Sequence, residues 1–138
     1  MKKLFIDTGA YLAYYHKRDT HHKKSVDTWK NITQTPTLLV TTHHIIDEFA
    51  TLLGRRKDFR YAAEKVRGLF NSNCVIERTD EIDERMALKL FEKYADQDIS
   101  FTDCLSFIIM QQRNIQKVFT FDKHFEYAGF EVIPSLYG

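Results

Sequence analysis

Leu4-Phe5-Ile6-Asp7-Thr8-Gly9-Ala10-Tyr11-Leu12-Ala13-Tyr14-Tyr15 carries the decision about fold. A short apolar run stops at an acid, Thr8-Gly9 turn the chain, and the apolar run that follows reads as a helix, giving strand, turn, helix. The same grammar repeats downstream. A polar helix is expected over His22–Ile32, and Pro36 then precedes the run Leu38-Leu39-Val40. Thr41-Thr42 suit the cap of a helix over His43–Arg56. Asp58 caps a helix over Phe59–Phe70, residues 71–73 break it, 74–76 form a short strand, and Asp80 opens an amphipathic helix to Tyr94. Ser100 starts an apolar helix over 102–112, 117–121 form a strand ending at Asp122, a helical turn covers 124–128, and Glu131–Ile133 is a last strand.

Strands separated by helical stretches of a dozen or more residues are what right-handed crossovers produce. The expected fold class is therefore α/β, a three-layer α/β/α sandwich around a mostly parallel twisted sheet of four to five short strands. Ligands in such folds collect outside the carboxyl ends of the strands. Asp7 and Asp122 each directly follow an apolar strand, which is the first functional clue.

Composition narrows the classes. The chain has 138 residues, 43% apolar and 28% charged, with five Gly and two Pro, so it is expected to form one domain over 1–138 and not a disordered or fibrous segment. No apolar run approaches the ~18 residues of a membrane span, and Asp7 interrupts any signal-peptide core, so a cytoplasmic address is expected. Cys74 and Cys104 lack a metal-type spacing and are expected to be buried small hydrophobes. The net charge of +1 conceals a split, with residues 1–73 carrying 13 basic and 7 acidic side chains and residues 74–138 carrying 7 and 12. A basic half offers a seat for an anionic polymer, although scattered surface Lys and Arg are the simpler explanation.

Taken one at a time, the acids have ordinary explanations. Asp7 suits a turn or a helix cap, and Ser100-Phe101-Thr102-Asp103 matches a capping box in which Asp103 reaches back to Ser100. Glu48 falls about 40° beyond the apolar stripe of its helix, and Asp47 lies off the opposite edge, so periodicity does not choose between them.

The order strand-Asp7, helix-Glu48, capping-box Asp103 and strand-Asp122 resembles the PIN-domain nucleases, particularly the VapC-like toxins of toxin–antitoxin pairs. The stretches that carry the likeness are Phe5-Ile6-Asp7-Thr8, Ile46-Asp47-Glu48, Asp98-Ile99-Ser100-Phe101-Thr102-Asp103 and Phe119-Thr120-Phe121-Asp122-Lys123-His124-Phe125, with Gly129-Phe130 and Pro134 beyond. The resemblance implies that Asp7, Glu48, Asp103 and Asp122 converge as catalytic and metal-holding acids, and it selects Glu48 over Asp47. It also implies hydrogen-bonding support from Thr8, Ser100 and Thr102. Asp96 or Asp98 is a candidate fifth acid, with loop charge as the simpler explanation.

Two carboxylates about 5 Å apart repel by roughly 3 kcal/mol at an effective dielectric near 20, so four need protons or a hard cation. Mg²⁺ or Mn²⁺ suits an all-carboxylate site, and zinc is disfavoured there. By resemblance the substrate is RNA, cut by water to leave a 5′-phosphate and a 3′-hydroxyl. Asp7 and Asp103 are expected as the most direct ligands, with Glu48 and Asp122 completing the shell or orienting water. A VapB-like antitoxin and a homodimer are implied partners, and no membrane is. The alternative is a catalytically silent PIN-like module that binds RNA or another protein.

Other families fit poorly. The haloacid-dehalogenase pattern wants an Asp where Gly9 stands, and neither a P-loop nor a dinucleotide fingerprint occurs. His21-His22 and His43-His44 are adjacent pairs that point about 100° apart on a helix, which makes poor paired ligands. Tyr11, Tyr14 and Tyr15 are expected to pack in the core or a dimer rather than stack on bases, while Lys17-Arg18, Lys23-Lys24 and Arg55-Arg56-Lys57 suit contact with phosphates or an acidic partner and equally a solvated face. Nothing in the sequence identifies specific nucleic-acid-binding residues or the RNA that is cut.

Overall fold

Phe5 and Ile6 are completely buried, as a strand covered on both faces requires, and they belong to β1 (Lys2–Ile6), the centre of a five-stranded sheet. A computed structural model describes residues 1–137. The remaining strands are β2 (Thr37–Thr42), β3 (Val75–Glu77), β4 (Lys117–Phe119) and β5 (Glu131–Ile133). All neighbouring pairs are parallel, in the order β3-β2-β1-β4-β5. The register sets Phe5 beside both Val40 and Val118, so the carboxyl ends of β1, β2 and β4 finish on one edge.

Between strands run α1 (Thr8–Tyr15), α2 (His22–Ile32), α3 (His43–Arg56), α4 (Phe59–Phe70), α5 (Glu81–Lys93), α6 (Phe101–Gln112) and α7 (His124–Tyr127). Helices α1 to α4 pack among themselves, and α5 to α7 do likewise, giving the α/β/α layers expected. The chain lays down β1, β2 and β3 in one direction and returns to the other side of β1 with β4. The strand order therefore reverses between β1 and β4, and a crevice opens outside their carboxyl ends.

Local chemistry explains where the helices begin. Thr42 caps α3 by accepting from the Ile45 N–H, and Asp58 caps α4 by accepting from Tyr61 N–H. Asp80 and Asp83 close a reciprocal capping box on α5. Helix α6 is mostly apolar, and residues from Asp103 to Met110 are all buried, with α5 and α7 packed against it. Phe107 sits edge-on to Phe125 with ring centroids 5.0 Å apart, and each such buried ring contributes about 2–3 kcal/mol through lost apolar exposure. Gly129 turns α7 into β5 at φ +100°, a conformation that side chains resist.

Several expectations shift. Helix α1 starts at Thr8 and not beyond Gly9, β2 runs on through Thr41-Thr42, and β4 stops at Phe119, leaving Thr120 and Phe121 outside the ladder. Cys104 is buried as expected, but Cys74 is only half-buried, with its Sγ 3.5 Å from the Tyr11 hydroxyl. Tyr11 is a core residue, whereas Tyr14 is exposed. No helix among the described residues is long and apolar enough to cross a membrane.

Candidate active site

Asp7 occupies the N-cap of α1, but its side chain makes no capping hydrogen bond. Its Oδ2 instead accepts from the Thr120 hydroxyl at 2.7 Å, and its backbone N–H donates to the Phe119 carbonyl at 3.0 Å. Thr120 also accepts from the Asp122 N–H at 3.0 Å, so one hydroxyl holds the two strand-end acids in a fixed relation. Asp122 Oδ1 in turn accepts from the His124 N–H at 2.9 Å, folding the segment after β4 into a tight turn. These bonds place Asp7 and Asp122 at the point where the sheet order reverses.

Asp103 arrives from the other helical layer. Ser100 caps α6 by accepting from the Asp103 N–H at 3.0 Å. Within hydrogen-bond geometry only this half of the expected capping box forms; the Asp103 carboxylate stays near the Ser100 hydroxyl and N–H, which oppose the rise in its pKa, and it also faces Asp122 and His124. His124 Nδ1 lies 3.0 Å from Asp122 Oδ1 and 3.9 Å from Asp103 Oδ2; the shorter contact lacks hydrogen-bond geometry and is an ionic one when the ring is protonated. Asp103, Asp122 and His124 each offer a ligand atom within 4.8 Å of the others.

The electrostatics are frustrated. Burial is the main cause that raises Asp7 from 3.8 to about 7; the Asp103 charge adds to it, Thr120 opposes it, and Asp122 adds a smaller push. Burial and then the Asp122 charge raise Asp103 to about 6, with Ser100 opposing. The N-termini of α1 and α6 both face this point and offset part of the negative charge.

The fourth acid stands apart. Glu48 is half-buried on α3, and its neighbour Asp47 is exposed. It makes no hydrogen bond or ion pair among the described residues, and the acids that act on Asp7 are Asp103 and Asp122. Asp96 and Asp98 are exposed on the α5–α6 connection and, with Lys123 and His124, line a groove beside the cluster.

Of the supporting hydroxyls, Ser100 caps its helix and Thr102 makes no hydrogen bond among the described residues. The Thr8 hydroxyl is buried and without a partner. A buried hydroxyl left unsatisfied next to Asp7, with mostly carboxylate donors and an excess of negative charge, fits a hydrated hard cation, His124 Nδ1 being the one nitrogen in the group. Thr120 and His124 were not singled out from the sequence. The T-x-D-x-H spacing at a strand end is the only local signal, and its meaning depends on Asp7 arriving from a strand more than a hundred residues away.

Comparison with known proteins agrees with this geometry. A family model described as the PIN domain matches residues 4–131. The chain is 29% identical over 133 residues to the 23S rRNA-specific endonuclease VapC20 of Mycobacterium tuberculosis, covering 96% of this chain and 99% of that protein. It is 32% identical over 124 residues to a VapC ribonuclease of Archaeoglobus fulgidus, covering 87% and 77%. The crystal structure of M. tuberculosis VapC20, described as a Sarcin-Ricin loop cleaving toxin, superposes with a TM-score of 0.84 at 27% identity, over 92% of this chain and 95% of that one. With strand order, switch-point acids and family match coinciding over nearly the whole sequence, the chain belongs to the PIN domain family.

Proposed function

We propose that this protein is a metal-dependent endoribonuclease of VapC type, with Asp7, Glu48, Asp103 and Asp122 as its catalytic and metal-holding acids. Three buried or half-buried carboxylates with two raised pKa values at the sheet switch point carry this assignment. Such a cluster is unfavourable by itself and becomes favourable when a cation neutralises it. Mg²⁺ or Mn²⁺ is the cation that an oxygen donor set selects, and when bound it supplies charge neutralisation at a phosphodiester and a lowered pKa for water.

The chain's own residues do the rest. Thr120 fixes Asp7 and Asp122 so that the carboxylates are preorganised, and Ser100 holds Asp103 at the first turn of α6. Glu48, half-buried on α3, is assigned to complete the shell or orient the attacking water on the strength of the family resemblance and not of a contact with the other three acids. His124 Nδ1 lies 3.0 Å from Asp122 Oδ1 and 3.9 Å from Asp103 Oδ2 and contributes a polar ring to the rim of the cluster. Thr8 and Thr102 supply further hydroxyls. Lys17, Arg18, Lys23 and Lys24 are exposed and offer phosphate contacts.

The substrate is RNA, and the printed functions of the relatives make a structured ribosomal RNA loop the first one to try. A VapB-like antitoxin, a homodimer, a cytoplasmic setting and a single functional unit over 1–138 complete the assignment. The silent-module alternative is disfavoured because all four acids are present. The test is cleavage of total RNA with Mg²⁺ or Mn²⁺, compared with an Asp7→Asn/Asp103→Asn double variant. Cleavage by the wild type alone supports the assignment. Cleavage by neither, with both folded, refutes it, and cleavage by both marks a contaminating nuclease and refutes the role of these acids.

A further inference from the structure

We propose that His43, His44 and Asp47 form a second metal site, separate from the carboxylate cluster, for a borderline transition ion of the Zn²⁺ class. The adjacent histidines were expected to diverge, as neighbours on a helix do. The structure corrects this. Their rings lie 4.0 Å apart between centroids, and the Nε2 atoms of both approach one oxygen, the Thr79 hydroxyl, at 3.4 and 2.7 Å. Two imidazoles on one point form a convergent pair.

Helix geometry supplies the third donor. Asp47 is four residues from His43 and three from His44, the two spacings that bring side chains onto one face. A ligand atom from each of the three lies within 4.8 Å of the others. Tetrahedral zinc with bonds near 2.0–2.2 Å sets its ligands about 3.4 Å apart, so closure asks only for small turns of two half-buried rings and an exposed carboxylate. Two nitrogens and one oxygen leave a fourth position for water. A pair of imidazole donors selects Zn²⁺, Co²⁺ or Ni²⁺, whereas Mg²⁺ prefers the carboxylate-rich cluster of Asp7, Asp103 and Asp122.

The site lies at the start of α3, next to the end of β2, and Thr79 reaches it from the connection between β3 and α5. All three ligands belong to the first turns of α3, and the Thr79 hydroxyl holds the two imidazoles together from a segment distant in sequence. Neither histidine belongs to the acid set assigned to RNA cleavage, and metal binding here does not depend on that assignment.

The experiment is titration of the metal-stripped full chain with Zn²⁺, and with Co²⁺ for its absorption bands, in millimolar Mg²⁺. The expected result is about one equivalent of ion bound, with Co²⁺ bands of tetrahedral intensity and zinc-dependent shifts of the His43 and His44 ring resonances. His43→Ala/His44→Ala is expected to weaken binding at least about tenfold, and Asp47→Asn to weaken it without disturbing the fold. Asp103→Asn/Asp122→Asn is expected to leave it intact. Binding that survives the histidine variant but is lost in the Asp103/Asp122 variant puts the ion at the acidic cluster and overturns the proposal. Absence of binding, or ring resonances that do not move, also overturns it. If the double histidine variant does not fold, Asp47→Asn and the wild-type resonances decide. Loss of RNA cleavage moves none of these readouts.

Discussion

Replacing Asp7 by Asn is expected to stabilise the metal-free protein at alkaline pH. In the wild type, both folded and unfolded chains hold the Asp7 proton below pH 3.8. Between 3.8 and about 7 the unfolded chain has released it while the fold retains it, so stability falls as pH rises through that window. Above about 7 the folded state ionises too and the loss is complete. At 1.36 kcal/mol per pH unit, the interval corresponds to an upper bound of about 4 kcal/mol. Asp103 loses stability in the same direction up to about 6, and the repulsion between the two acids is shared, so the contributions do not simply add. Asn keeps the shape of the side chain and an oxygen to accept from Thr120, but never ionises. The assay is urea unfolding followed by circular dichroism in EDTA at pH 4 and pH 8. The expected outcome is near-equality at pH 4 and a gain of about 2–4 kcal/mol for Asp7→Asn at pH 8. Acids titrating elsewhere, such as Asp83 at the α5 cap, cancel between the two proteins. Saturating Mg²⁺ is expected to recover the wild type's lost stability and to help the variant less. An Asp7→Asn protein no more stable than wild type at pH 8 would falsify the frustrated-carboxylate account.

Three further outcomes are expected. Thr120→Val removes the hydroxyl that bonds Asp7 and accepts from the Asp122 N–H; it should raise the Asp7 pKa, read by carbon NMR of the carboxyl, and cost about 1–3 kcal/mol where Asp7 is ionised. Glu48→Gln should lower the rate of Mg²⁺-dependent RNA cleavage by about 10²-fold or more while leaving the unfolding midpoint nearly unchanged, since Glu48 makes no ion pair among the described residues; an unaffected rate removes it from the site. Phe107→Ala opens a hole between Phe125 and Phe130 and should cost about 3–5 kcal/mol in chemical unfolding.

Sequence alone determined the alternation of strands and helices, because burial imprints a period and helix ends announce themselves locally. The bounds of α2, α3 and α4 follow from periodicity with Asp58 and Thr42 as caps. Strand ends were less legible, since β2 continues through Thr42 on ladder bonds whose donors and acceptors belong to other strands. Asp7, Asp103 and Asp122, the acids that act on one another in the fold, were visible only as a pattern, each having an adequate local explanation as a cap or a turn. Tertiary structure decided what those explanations omit. Asp7 sits in a cap position yet turns its carboxylate to Thr120, and Asp103, beside its Ser100 cap, also faces Asp122. It also brought the two α3 histidines onto one hydroxyl from beyond β3, against the divergence that helix geometry alone predicts. The physical reason is that caps and periods depend on neighbours along the chain, whereas a carboxylate's burial, its partner and its proton depend on groups delivered through space by the order in which parallel strands are laid down.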